Sequence, residues 1–219
     1  MAHLKRLVAP RSWPIKRKGI EFTIRQNPRV KSEISIPLAF VLRDMLKLAQ
    51  KARESKRILR ERNVLVNGAV RTDMKFPITI FDVIEIPAIG KVYGVSFTKL
   101  GKLSLHESEK PKFRLARVEN KTKSKGGKTQ LNLFDGTNVL VDKDECKTGD
   151  VVKLSIPENK MVGKISPDEG TSVFVIGGAH IGETAKIKSL DTKRTPKEVV
   201  LKGEAGEFRT RFTNVYAIE

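Results

Sequence analysis

The sequence predicts an α+β chain, mostly β, divided among several small units. Two observations carry that fold class. Apolar residues at helical spacing are confined to residues 37–62, and short runs of alternating apolar and polar residues, separated by Gly, Asn and Asp, recur from residue 64 onward. A third observation bears on partners: Lys and Arg number 43 against 25 Asp and Glu, a formal net charge of +18 over 219 residues. Such an imbalance adds self-repulsion unless a polyanion neutralises it, which points to a phosphate-contacting surface and away from an ordinary soluble enzyme.

Residues 1–36 hold Lys5, Arg6, Arg11, Lys16, Arg17, Lys18, Arg25, Arg29 and Lys31 against Glu21 and Glu33. Pro10, Pro14 and Pro28 break regular structure, so this segment is expected to be a basic extension ordered mainly by its partner. Lys5, Arg6, Arg11, Lys16, Arg17 and Lys18 are its candidate RNA contacts. Trp13 and Phe22 sit among these charges. An aromatic ring there either stacks on a base or tucks against its own domain, and the second is the expectation.

Residues 37–88 read as two helices packed on a short sheet. Pro37 suits a first-turn position, and Leu38, Val41, Leu42, Met45, Leu46 and Leu48 form an apolar stripe at helical spacing. A second helix is predicted over 52–62, with Ile58 and Leu59 inward. Helical spacing then places Arg43, Lys47 and Lys51 at successive i, i+4 positions, while Arg53, Arg57 and Arg60 share a face. With Lys56, and with only Asp44, Glu54 and Glu61 interrupting, these cations are candidate clamps for the phosphates of a polyanion. Val64-Leu65-Val66 runs into Asn67-Gly68, a hairpin signal because both residues tolerate positive φ. Asn67 and Gly68 are candidates for close approach to a bound phosphate backbone.

Residues 89–166 read as all-β, barrel-like or a sandwich. Phe113 and Leu115 alternate with polar neighbours, as do Leu131 and Leu133. Between them, Lys121, Lys123, Lys125 and Lys128 with Gly126 and Gly127 read as an exposed, flexible, basic hairpin tip, a candidate phosphate contact. Asp135-Gly136 and Gly149-Asp150 mark turns, and Pro157 closes the strand 151–156. In residues 167–219, the alternation over 171–176 is broken by Gly177, Gly178 and Gly182, and 208–218 reads as a closing strand.

The residues offer little to catalysis. Gly177 and Gly182 have the spacing of a phosphate-binding loop, but Glu183 stands where Lys must meet the phosphates, so no nucleotide cofactor is expected. His3, His106 and His180 are scattered and suggest no metal site; His180 reads as a loop residue contacting RNA or backbone. The single Cys146 excludes an intramolecular disulfide and a Cys-based zinc cluster. No long apolar run follows Met1-Ala2-His3-Leu4-Lys5-Arg6, so neither a secretory signal nor a membrane anchor is expected, and the cytoplasm is the expected compartment. No catalytic residue is assigned.

Taken in order, these segments resemble the small-subunit ribosomal protein S four-e family of archaea and eukaryotes. The resemblance opens with Ala2-His3-Leu4-Lys5-Arg6-Leu7, Ala9-Pro10-Arg11-Ser12-Trp13-Pro14 and Arg17-Lys18. It continues through Ile36-Pro37-Leu38, Leu42-Arg43-Asp44, Val64 to Gly68, Phe76-Pro77 and Phe81-Asp82-Val83-Ile84. Gln130-Leu131-Asn132-Leu133, Asp135-Gly136 and Thr148-Gly149-Asp150 look like the family's central domain. Gly177-Gly178, His180 and Ile181-Gly182 resemble its KOW element, and Phe208, Thr210 and Asn214-Val215 its C-terminal signature. The chain departs from the family at 27–32, where a Gly-Pro-His-containing stretch is usual, and at Ala185, where Gly is common.

The resemblance implies an S-four-type RNA-binding domain at 37–88, a central β domain at 89–166, and a KOW SH3-like β-barrel at 167–219 with Gly177, Gly178 and Gly182 as its turns. It implies a structural constituent of the small ribosomal subunit, archaeal in type by length, partnered by small-subunit ribosomal RNA and neighbouring small-subunit proteins, with no membrane contact. An RNA-modifying enzyme and a free translation or transcription factor are the competing readings.

Overall fold

The computed structural model describes residues 3–124, 127–142, 145–191, 196–204 and 206–218. The chain forms two compact units: Met1–Phe97 with Gly101–Lys112, and Thr98–Leu100 with Phe113–Glu219.

The first unit runs β1 (Leu4–Lys5), β2 (Phe22–Thr23), β3 (Ser35–Pro37), α1 (Leu38–Phe40), a π-helical turn (Val41–Met45) and α2 (Ala52–Arg60). It continues with β4 (Leu65–Val66), β5 (Ala69–Val70), β6 (Pro77–Thr79), β7 (Val83–Ile86), β8 (Lys91–Phe97) and β9 (Leu103–Glu107). Strands β1 and β2 pair, β3 pairs with β6, and a five-stranded antiparallel sheet has the order β5-β4-β7-β8-β9. This sheet runs on past residue 88 to Glu107.

The apolar stripe is buried as expected at its start, where Leu38, Val41 and Leu42 have no exposed surface, like Leu59 of α2, Ile78 and Ile84. The first of the two expected helices is cut short. After Met45 the Leu46 N–H returns to Val41 and the Leu48 N–H to Leu42, and Lys47 takes φ +56°, so the chain reverses and buries Ala49. Helix α2 starts where the Glu54 carboxylate accepts the Gln50 and Lys51 N–H groups at 2.7 and 3.3 Å. These backbone hydrogen bonds hold the Glu54 pKa below its ordinary value.

The N-terminal segment is not an arm awaiting a partner. Its Trp13 indole is buried and donates to the Ser32 and Ser35 carbonyls at 2.9 and 2.7 Å. The Leu103 N–H reaches the Ser12 carbonyl at 2.8 Å. A buried indole N–H needs an acceptor, and two carbonyls supply it, so the segment folds onto its own unit.

The second unit contains β10 (Phe113–Lys123), β11 (Thr129–Leu133), β12 (Asn138–Val141), β13 (Val151–Ser155) and β14 (Met161–Ile165). Beyond them lie β15 (Ser172–Val175), β16 (Thr184–Asp191), β17 (Glu198–Gly203), β18 (Gly206–Arg211), a 3-10 turn (Phe212–Asn214) and β19 (Val215–Ala217). The central sheet has the order β12-β11-β10-β13-β14. Its long strand β10 pairs with β13 over 113–117 and with β11 from Val118 to Lys123, the latter ladder having an irregularity between Val118 and Asn120. Ala116, Val118, Leu131, Leu133, Cys146, Val152 and Leu154 form the core beneath it.

The C-terminal sheet has the order β18-β17-β16-β15-β19, and among the described residues no ladder joins its edges β18 and β19, so the sheet is open. Gly182 has φ +83°, and a Cβ there would collide with the Thr98 carbonyl. Ala185 lies within β16 opposite Val173, where extended backbone makes no demand for glycine.

Candidate RNA interface

Helix α2 presents the clearest basic face. Arg53, Arg57 and Arg60 are exposed on it at i, i+4 and i+7, with Lys56 alongside, and the opposite side buries Ser55 and Leu59. Arg57 Nε lies 3.1 Å from Glu61 Oε1, an exposed pair that solvent screens. The face is a set of long cations fixed at the base by a packed helix, with their heads in water, as phosphate binding requires.

The other expected helical cations fall elsewhere. Because the helix breaks at Lys47, Arg43, Lys47 and Lys51 do not share one continuous face. Arg43 is half-buried and donates to Asp44 at 2.8 and 2.6 Å, while Lys47 and Lys51 are exposed.

At the β4–β5 turn, Asn67 and Gly68 take φ +53° and +75°, the left-handed pair that a two-residue hairpin needs. The Asn67 amide is engaged inside the fold: it donates to Asp82 at 2.7 Å and accepts the Val83 N–H at 2.9 Å. The buried Asp82 also accepts the Thr79 N–H and hydroxyl at 2.7 and 2.8 Å. Asn67 therefore fixes the hairpin from within.

Two of the N-terminal arginines likewise serve the backbone. Arg17 donates to the carbonyls of Arg6, Leu7, Ala9 and Pro10 at 3.0 to 3.3 Å. Arg6 donates to the Phe22 and Lys16 carbonyls at 3.2 and 2.9 Å. Lys5, Arg11, Lys16 and Lys18 remain exposed, Lys5 with Glu21 at 3.9 Å.

In the β10–β11 hairpin, Lys123 and Lys128 are exposed, Lys128 standing 3.0 Å from Asp142, whereas Lys121 donates to the Cys146 carbonyl at 2.7 Å. Lys125 lies outside the described residues. His180 stacks on Phe208 with centroids 3.9 Å apart and has Nδ1 3.2 Å from Glu183. Gly177 and Gly178 lie against Asn214.

The structure adds cations that escaped the reading of the sequence. Lys186 faces Lys202 across β16 and β17, while Arg209 and Arg211 on β18 face Val200 and Glu198, and all four cations are exposed on one side of the sheet. Their signal was the alternation Lys-Ile-Lys in β16 and Arg-Thr-Arg in β18. Arg29 and Arg71 both lie over the Phe76 ring, at 5.3 and 4.5 Å from its centroid. Among the described residues, no group of three or more His, Cys, Asp or Glu is placed to hold a metal, and no helix is long and apolar enough to cross a membrane.

Exposed basic faces on a chain assembled from small β-rich units mark the polyanion-binding class of proteins. A family model described as "Ribosomal family S4e" matches residues 89–161, and one described as "RS4NT (NUC023) domain" matches residues 2–28. The chain is 43% identical over 210 residues to the small ribosomal subunit protein eS4 of Methanothermobacter thermautotrophicus, covering 94% of this chain and 86% of the relative. It is 39% identical over 218 residues to that of Archaeoglobus fulgidus, covering 99% and 92%. The crystal structure of the 30S ribosomal protein S4e from Thermoplasma acidophilum superimposes with a TM-score of 0.71 at 30% identity, covering 84% of this chain and 94% of that one. The chain belongs to the S4e family of ribosomal proteins, of the archaeal type.

Proposed function

We propose that this protein is a structural constituent of the small ribosomal subunit that binds and stabilises small-subunit rRNA without catalysis. The observation that carries the reading is family membership over nearly the whole chain, at 39% identity across 99% of its length with a relative whose name places it in the small ribosomal subunit. The α2 face supports it. Double-helical RNA hides its base edges in a deep major groove, so recognition by Arg53, Lys56, Arg57 and Arg60 falls on phosphates, 2′-hydroxyls and shape.

On this reading the chain comprises a basic extension at 1–36, an S-four-type RNA-binding domain that begins at 37 and whose sheet continues past 88 to Glu107, a central β domain ending at 166 and a KOW domain at 167–219 built on an open sheet related to the SH3-like barrel. Lys5, Arg11, Lys16, Lys18, Lys47, Lys51, Lys123, Lys125 and Lys128 add phosphate contacts around the α2 face. Arg6, Arg17, Asn67 and Lys121 hold the backbone that carries those contacts, since their donors are already engaged within the fold. Neighbouring small-subunit proteins complete the surroundings, in the cytoplasm.

The test is equilibrium binding of the full chain to archaeal small-subunit rRNA across a range of salt. Tight binding whose logarithm falls steeply and linearly with the logarithm of salt concentration supports phosphate contact. Weak binding with little salt dependence overturns it.

A further inference from the structure

Of the two large aromatic rings in residues 1–36, Trp13 is 2% exposed and Phe22 is 44% exposed. The expectation that such rings tuck into their own domain holds for the first and not for the second. Phe22 is nevertheless held in place. It lies in β2 opposite Lys5 of β1, and Arg6 fastens its carbonyl through Nε at 3.2 Å while binding the Lys16 carbonyl through Nη1. The His3 ring packs beside it, with centroids 5.4 Å apart and planes at 52°. The outcome is a half-open aromatic ring on a braced ladder.

We propose that the His3–Phe22 pair is a stacking site for an unpaired RNA base, a site that rests on the rRNA-binding reading above. The chemistry is specific in two respects. A base offers a flat π-surface of the kind that aromatic side chains accept, and unpaired bases are the parts of RNA open to such contact. The exposed Lys16 and Lys18, and Lys5 beside Glu21 at 3.9 Å, surround the pair in sequence, so that cations outnumber the one carboxylate there and can meet the phosphates on either side of that base. An apolar protein surface would have to cover a rim of one dominant charge sign, whereas a polyanion neutralises it. The β1–β2 ladder and Arg6 fix the backbone that carries the ring, and His3 packs beside it, which lowers the conformational cost of presenting the ring to a base.

The experiment uses the full chain and transcribed archaeal small-subunit rRNA. Phe22→Trp places a fluorescent ring on the platform, while the buried Trp13 reports whether the segment stays packed. The expected results are quenching of the added emission on binding, affinity of Phe22→Leu reduced by about fivefold or more, and near-normal affinity for Phe22→Tyr, with Trp13 emission unchanged in the leucine and tyrosine variants. If Phe22→Leu binds as tightly as the parent and the Phe22→Trp emission is not quenched, the stacking site is overturned while rRNA binding stands. If Phe22→Leu binds free rRNA normally but is lost from assembled subunits, the ring meets protein and the proposal is overturned in a second way. Failure of the parent chain to bind rRNA would instead overturn the functional reading beneath it.

Discussion

The guanidinium of Arg114 and the carboxylate of Asp135 form an ion pair inside the central sheet, with side chains 2% and 10% exposed. Asn159 accepts from the same guanidinium at 3.0 and 3.1 Å, and Thr137 donates its N–H and hydroxyl to Asp135 at 2.9 and 2.6 Å. The pair ties β10 to the β11–β12 turn and to the β13–β14 turn. Three segments distant in sequence therefore depend on one buried charge pair.

This pair makes the second unit sensitive to acid. Burial pushes the Asp135 carboxyl up, but the Arg114 charge and the Thr137 hydrogen bonds outweigh it and hold the group below its ordinary 3.8. A carboxyl depressed on folding stabilises above its unfolded pKa, and that contribution is lost as pH falls through the folded value. Asp135→Ala should destabilise the chain by about 3–5 kcal/mol at neutral pH, because it leaves Arg114 buried without its charge partner. Chemical denaturation at neutral pH and below pH 4 checks both points, with the gap between parent and variant narrowing in acid.

Replacing Arg53, Arg57 and Arg60 together with Gln should leave stability nearly unchanged, since all three heads are exposed. Binding to rRNA should weaken, and the slope of log affinity against log salt should become shallower by roughly two to three. An unchanged slope in a filter-binding titration would remove this face from the interface.

Arg17 and Lys18 are neighbours in different settings, the first engaged by backbone carbonyls and the second exposed. Arg17→Ala removes a guanidinium that four carbonyls share and should destabilise the N-terminal segment by on the order of 2 kcal/mol, read as faster hydrogen exchange at residues 6–10. Lys18→Ala should leave exchange unchanged and weaken only RNA binding.

Gly182→Ala should cost more than Gly170→Ala. Both glycines have left-handed backbone, φ +83° and +88°, but only at Gly182 does a Cβ meet a backbone carbonyl, whereas Gly170 faces open space. About 1–2 kcal/mol is expected at Gly170 from the backbone alone, and roughly 2–4 kcal/mol at Gly182 when the collision is added, measured by thermal unfolding.

Much of this was legible in the sequence where local chemistry decides the outcome. The Asn67-Gly68 turn, helix α2, the alternating strands and the order of family motifs follow from residue type and spacing. The break at Lys47 was not legible, because a continuous apolar stripe fits a helix and a wide turn equally well until the rest of the core is in place. Arg17 and Arg6 read as phosphate ligands because a sequence shows their charge and not the carbonyls converging on them. Arg114 and Arg117 were passed over for the opposite reason. Arg117 is buried against the Phe134 ring and donates to the Thr213 and Val215 carbonyls at 2.7 and 2.9 Å, partners nearly a hundred residues away. Burial pulls its pKa down, partly countered by Glu119, yet an arginine stays charged there. Formal net charge thus overstates what is available to RNA.

The most direct test of a structural role is sedimentation of a native lysate through a sucrose gradient, with this protein quantified against known small-subunit components before and after a high-salt wash. Stoichiometric presence in small subunits and whole ribosomes that survives the wash is the expected result. A substoichiometric pool, or one stripped readily by salt, would contradict it and indicate a transient factor or a modifying enzyme.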